Sequence, residues 1–85
     1  MIIGYKPSFV REFKKLPTDP QDEALEKIEL FKDVKNHKKL KVHKLKGRLG
    51  KFYSFSVTYS HRIVFCYETK TEVVFLAIGD HDVYR

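Results

Sequence analysis

Eighty-five residues make one domain, spanning 1–85, with a single core and no room for a second folding unit or a cofactor-binding lobe. At 42% hydrophobic and 14% aromatic, the chain is expected to be ordered nearly throughout, so its net charge of +6 does not mark a disordered polyelectrolyte. A lone cysteine, Cys66, excludes an intrachain disulfide, and the opening MIIGYKPSFV lacks the apolar core of a signal peptide.

Cys66 lies in an apolar run, so a buried, unreactive thiol in a reducing compartment is expected. No stretch reaches the roughly 18 apolar residues of a membrane span. Together these predict a cytoplasmic protein.

In chain order, IIGY opens as a short strand, and KPS supplies a proline and a possible cap, Ser8, for a first helix. Phe9, Phe13 and Leu16 share one face of that helix while Arg11, Lys14 and Lys15 face water, and Pro17 ends it. In TDPQDE, Asp19 is the expected N-cap of a second helix, Pro20 suits its first position, and Asp22 and Glu23 sit at its positive dipole end. Ala24, Leu25, Ile28, Phe31 and Val34 form its predicted buried stripe. The two helices make a hairpin.

Residues 35–51, KNHKKLKVHKLKGRLGK, hold eight Lys/Arg and no acid, so the remainder of the chain is slightly acidic. Such a block is either a solvated flexible face or a footprint for a polyanion, whose condensed counterions are released by clustered cations. Leu40, Val42, Leu45 and Leu49, spaced through the block, favour the second reading, because they would pin the segment to a core and give its cations a fixed shape.

After the block the apolar period changes from 3.6 to 2. Tyr53, Phe55, Val57 and Tyr59 alternate with Ser54, Ser56 and Thr58, as in a strand with one buried and one polar face. RIVFCYE is apolar on both faces and belongs at a sheet centre; ETKTE is a polar turn into VVFLAI. The order β-α-α-β-β-β predicts an α+β fold of two layers: an antiparallel-rich, four-stranded sheet with the helix hairpin on one face.

The chemistry-bearing residues are four histidines, His37, His43, His61 and His81, and the tail GDHDVYR. Asp80, His81 and Asp82 are consecutive, unlike the spaced Cys/His sets that hold zinc, and no Gly-rich phosphate loop, HExxH or GxSxG is present. No metal or cofactor is expected.

HKLKG at 43–47, YSHRIVFCYE at 59–68 and IGDHDVYR at 78–85, with the element order of nearly the entire chain, resemble the RelE/ParE superfamily of toxin–antitoxin toxins, most closely the RelE, YoeB and YafQ messenger-RNA endonucleases. The resemblance implies ribosome-dependent cleavage by the ribose 2′-hydroxyl, leaving a 2′,3′-cyclic phosphate. It assigns Arg62 to phosphate charge stabilisation, His81 to the general acid, Tyr84 to stacking on or orienting a base, and His43 to the base opposite the acid. Lys41, Lys44, Lys46, Arg48, Lys51 and Arg85 are the implied RNA-binding cations, with messenger RNA, the ribosome and a cognate antitoxin as partners. Read from residue type alone, Arg62 is also a salt-bridge partner on the sheet face, His81 a partner of Asp80 or Asp82, and Tyr84 a C-terminal anchor.

The chain departs from the RelE branch in its second long strand, where Ser54 and Ser56 stand in place of a lysine pair; Lys46, Arg48 and Lys51 are the nearby cations in sequence. The alternative within the superfamily is a noncatalytic inhibitor of DNA gyrase resembling the ParE branch. An RNA-binding domain without activity is a third, plainer reading.

Overall fold

A computed structural model describes residues 1–47 and 50–80. Five strands form one mixed sheet in the order β1-β5-β4-β3-β2, where β1 is Ile2–Tyr5, β2 His43–Lys44, β3 Tyr53–Ser56, β4 Arg62–Tyr67 and β5 Glu72–Gly79. Helices α1 (Pro7–Lys14) and α2 (Thr18–Phe31) supply Phe9, Ala24, Ile28 and Phe31 to a core that also contains Phe55, Phe65 and Phe75 of the sheet. The two-layer α+β architecture and the β3-β4-β5 meander are as expected, but the sheet has five strands, not four. The additional β2 is two residues long, pairing antiparallel with β3 (His43 with Ser54, Lys44 with Tyr53), too short and too cationic to carry a readable alternation.

Rings organise the core. Phe31, at the end of α2, stacks on Phe55 at 4.7 Å between centroids and meets Phe65 and Phe75 edge-on at 5.0 and 5.5 Å. On its far side His37 stacks at 4.4 Å, and its Nε2–H donates to the Phe31 carbonyl at 2.8 Å. Asn36 Nδ2 donates to the Leu30 carbonyl at 2.9 Å. The His37 side chain thus serves a carbonyl of the last turn of α2, and Asn36 adds a second donor to the Leu30 carbonyl, which also accepts from the Asp33 N–H at 3.2 Å.

Strand β5 outruns β1: their parallel pairing ends at Tyr5 with Phe75, four residues before β5 does. Beyond that point α1 takes over the β1 side. Ser8 Oγ donates to the Leu76 carbonyl at 2.8 Å, and Glu12 Oε1 accepts from the Ile78 N–H at 3.1 Å. Ser8 is therefore not the cap of α1; Lys6 holds that position and Pro7 begins the helix, which ends at Lys14, before Pro17. Likewise α2 begins at Thr18 with Pro17 as its N-cap, so Asp19 and Pro20 lie in the first turn.

Several burial expectations are corrected. Leu25 is 57% exposed, because α2 buries Ala24, Ile28 and Phe31, and Val34 is 64% exposed, because it lies in a short 3-10 turn after α2 has ended; Leu25, Val10 and Tyr5 border a groove between the helices. The alternation of β3 stops at Ser56, leaving Tyr59 in the hairpin turn at 95% exposure, while Ser54 is fully buried. Cys66 is half-buried, not a core residue: Ile63 and Phe65 face the helices, so Cys66, one position on, takes the other face. Leu40 and Leu45 are buried as the pinning argument requires, and Val42 packs against the core; Leu49 lies outside the described residues.

Two of these corrections are testable. Ser54 Oγ is buried and has no hydrogen-bond partner among the described residues. Removing an unsatisfied hydroxyl relieves its desolvation cost, so Ser54→Ala leaves stability unchanged or raises it by up to about 1 kcal/mol in urea denaturation; a clear loss would mean that the hydroxyl is satisfied. Burial, reinforced by the Glu68 carboxylate, pushes the Cys66 thiol up from its ordinary value against the opposing pull of Lys6 and Lys51. Because the thiolate is the reactive form, less of it is present at a given pH than in the unfolded chain. Iodoacetamide at pH 8 should then alkylate Cys66 more slowly in the folded protein than in urea, and the rate should climb at higher pH. Equal rates and equal pH profiles would contradict that environment.

Candidate functional site

Cationic groups from three parts of the chain meet at one end of the sheet. Arg62, the first residue of β4, pairs with Ser56 of β3 on one side and Gly79 of β5 on the other. Its Nη1–H donates to Ser56 Oγ at 2.8 Å, which fixes the direction of the guanidinium. Directly opposed residues share a sheet face, as do residues two apart on one strand. Arg62, Ser56, Ser54 and His43 therefore lie on the same face, the one turned away from the helices.

Beside Arg62 opens a cavity of about 330 Å³ lined by Lys27, Lys39, Leu40, Lys41, Ser56, Val57, Thr58, Tyr59 and Arg62. The local sequence explains how lysines reach it. In Lys39-Leu40-Lys41 the central leucine is 2% exposed, and its carbonyl accepts from the Ser56 N–H at 3.0 Å, so the turn is held to the sheet by its middle residue and carries a cation on either side. Lys41 adopts a left-handed backbone, φ 61°, and the Val42 N–H closes the turn on the His37 carbonyl at 3.0 Å. Lys27 comes from α2 and pairs with Glu23 at 2.9 Å. Among the described residues, four cations and no carboxylate line the cavity, with the hydroxyls of Ser56 and Thr58 as further donors. That set suits an anion with several oxygens, such as a phosphodiester.

The basic block does not present all its predicted cations here. Of the described members, Lys41 lines the cavity; Lys44, Lys46 and Lys51 are exposed elsewhere on the surface. Lys44 stands opposite Tyr53, so it lies on the face of β2 away from His43. Gly47 takes φ 70°, the left-handed conformation that the Leu-x-Gly turn demands of a glycine. His43 is exposed, with Nδ1 at 2.9 Å from the Lys41 carbonyl, and therefore donates that hydrogen bond. Nε2 is then the ring nitrogen left toward solvent. Arg48, His81, Tyr84 and Arg85 lie outside the described residues; the chain approaches the last five through Gly79, in register with Arg62.

Lys27, Lys39 and Thr58 have no site role in the sequence reading, and Tyr59 enters it only as an expected strand residue and as the first residue of YSHRIVFCYE. Lys27 reads as a helix-surface residue four positions from Glu23, and only the packing of α2 carries it to the sheet end. Lys39 and Lys41 flank a buried leucine, a signal that was present. Among the described residues no three His, Cys, Asp or Glu side chains are grouped as metal ligands would be, and no helix is long and apolar enough to cross a membrane.

No protein-family model and no curated protein matches the sequence. Solved structures do. The YoeB–YefM complex from Staphylococcus aureus aligns at a TM-score of 0.73 and 18% identity, over 95% of this chain and 97% of the other. The RelBE2 toxin–antitoxin complex from Mycobacterium tuberculosis aligns at 0.71 and 17%, over 94% and 96%. YafQ from E. coli gives 0.69 and 14%, over 94% and 92%. Such low identities with near-complete mutual coverage speak to the path of the backbone from end to end: the chain has the fold of the RelE/ParE toxin superfamily.

Proposed function

We propose that the chain is the toxin of a type II toxin–antitoxin pair and a metal-independent endoribonuclease that cuts messenger RNA on the ribosome. The observation that carries this reading is the Arg62 cavity, where an oriented guanidinium and three lysines surround a space that, among the described residues, has no carboxylate in its wall. Preorganised cations of this kind stabilise the negative charge that builds on phosphorus when a 2′-oxygen attacks it. In that step the 2′-O–P bond forms and the P–O5′ bond breaks; one proton leaves the 2′-hydroxyl for a base and another reaches the departing 5′-oxygen from an acid. His43, on the Arg62 face of the sheet with Nε2 toward solvent, is proposed as the base and His81 as the acid; Tyr84 orients the base next to the cut.

Lys44, Lys46, Arg48, Lys51 and Arg85 would hold the flanking RNA and ribosomal RNA, and the antitoxin would cover the basic surface. Electrostatic complementarity favours an acidic segment there. The complexes of the Staphylococcus aureus and Mycobacterium tuberculosis proteins support a partner of this type. The cell's cytoplasm is the proposed place of action.

The test adds purified protein to a cell-free translation reaction with a defined message and maps new RNA 5′ ends. Cuts are expected only on translating ribosomes, with Arg62→Ala and His81→Ala each lowering the rate by a hundredfold or more, in the range of a lost charge stabiliser or general acid. An intact message together with inhibited DNA supercoiling by gyrase would replace the nuclease with the protein-contact inhibitor.

A further inference from the structure

Tyr59 exposes 95% of its surface and makes no ring contact with another described residue, although a ring of this size stabilises a fold chiefly when buried. Its backbone is nevertheless fixed. Thr58 Oγ1 accepts from the Ser60 and His61 N–H groups at 3.2 and 3.0 Å and lies 2.8 Å from His61 Nδ1, while the Val57 N–H donates to the His61 carbonyl at 2.9 Å. The turn thus presents the ring to solvent from a closed network of hydrogen bonds.

The same residue lines the cavity whose other walls carry Lys27, Lys39, Lys41 and Arg62. A bare inorganic anion would use the cations and have no need of the ring; an apolar segment would use the ring but strip water from the cations without pairing them, at a cost. A single-stranded nucleotide uses both, with its phosphate among the cations and its base on the aromatic face. We propose that Tyr59 is the stacking platform for a nucleobase of single-stranded RNA whose phosphate occupies the Arg62 cavity. Tyr59 is then a residue that positions the RNA strand against the cations. This inference rests on the RNA-cleaving function above for the identity of the strand. Purines, with the larger π-surface, should be held better than pyrimidines at this place.

The experiment measures binding of the full chain to a fluorescent 2′-O-methyl RNA oligonucleotide, which cannot be cut, by anisotropy over a range of salt. Stacking is worth a five- to hundredfold change in affinity in such sites. Tyr59→Ala and Tyr59→Leu should weaken binding by about that factor without altering the salt slope, and Tyr59→Phe, which keeps the ring, should restore it. Arg62→Ala should weaken binding and reduce the slope of log affinity against log salt by about 0.7, as for one lost contact to a single strand. Wild-type affinity in Tyr59→Ala beside weakened Arg62→Ala would overturn the stacking role and leave the RNA site standing. Equal loss in Tyr59→Phe and Tyr59→Ala would also overturn it, in favour of the hydroxyl. No RNA binding by the unaltered protein at low salt would overturn the RNA function and the stacking role with it.

Discussion

Phe31 is the contact on which the rest of the molecule depends. Its ring is fully buried and touches one phenylalanine from each of the three meander strands, Phe55, Phe65 and Phe75, and His37 on its other side. A single side chain at the end of α2 therefore sets the height of the helix over the sheet and the place where the chain leaves it. Truncating a buried phenylalanine of this kind costs about 3–5 kcal/mol, a large part of what holds a domain of this size together. Moreover, the His37 and Asn36 hydrogen bonds to the last turn of α2 carry that order into the basic segment. The cations that follow start from a fixed point, not from a loose loop.

The consequence is felt at the sheet end. Leu40, buried and bonded through its carbonyl to Ser56, fixes the turn against β3, and Ser56 in turn receives the Arg62 guanidinium. Phe31, Leu40, Ser56 and Arg62 form a continuous physical chain from core to cavity. Side chains on either side of a buried leucine have nowhere to point but outward, which is how an apolar constraint produces a cationic surface. On the opposite flank, Glu12 and Ser8 of α1 hold the far half of β5 where β1 has ended, so Gly79 reaches its register with Arg62 on a supported strand.

Much of this was legible in the sequence, and the boundary of legibility has physical causes. The helices and the first meander strand followed from periodicity, since burial of one face imposes a period, and the central position of β4 followed from an apolar run with no polar face. Strand β2 was not legible because two polar residues have no period; it exists through pairing with β3. Ser54 and Tyr59 broke the alternation at opposite ends of one run, the first through burial of a polar residue, the second because the strand had already turned. Arg62 was legible through its place before an apolar strand in a resembling motif. Lys27 was not, because its i,i+4 pairing with Glu23 is what any solvent-facing helix residue displays, and only the angle at which α2 crosses the sheet distinguishes it.

Charge placement completes the argument. The carboxylates of α2 outnumber its lysines, yet of these Glu23 alone reaches a cavity cation, Lys27, while the Glu29–Lys32 pair stays on the exposed helix surface. Lys39, Lys41 and Arg62 face the cavity with no carboxylate of the described residues in its wall. Like charges held close by a rigid backbone repel one another, and a fold that keeps them there gives up stability at that end of the sheet. The core supplies the compensation: among the described residues, twelve buried apolar side chains form one cluster around the phenylalanine rings, so repulsion among a few exposed cations need not open the structure. Under the proposed function, an anion entering the cavity would meet groups already in place, the cost of assembling them having been met in folding, which is the condition under which fixed charge acts on a transition state.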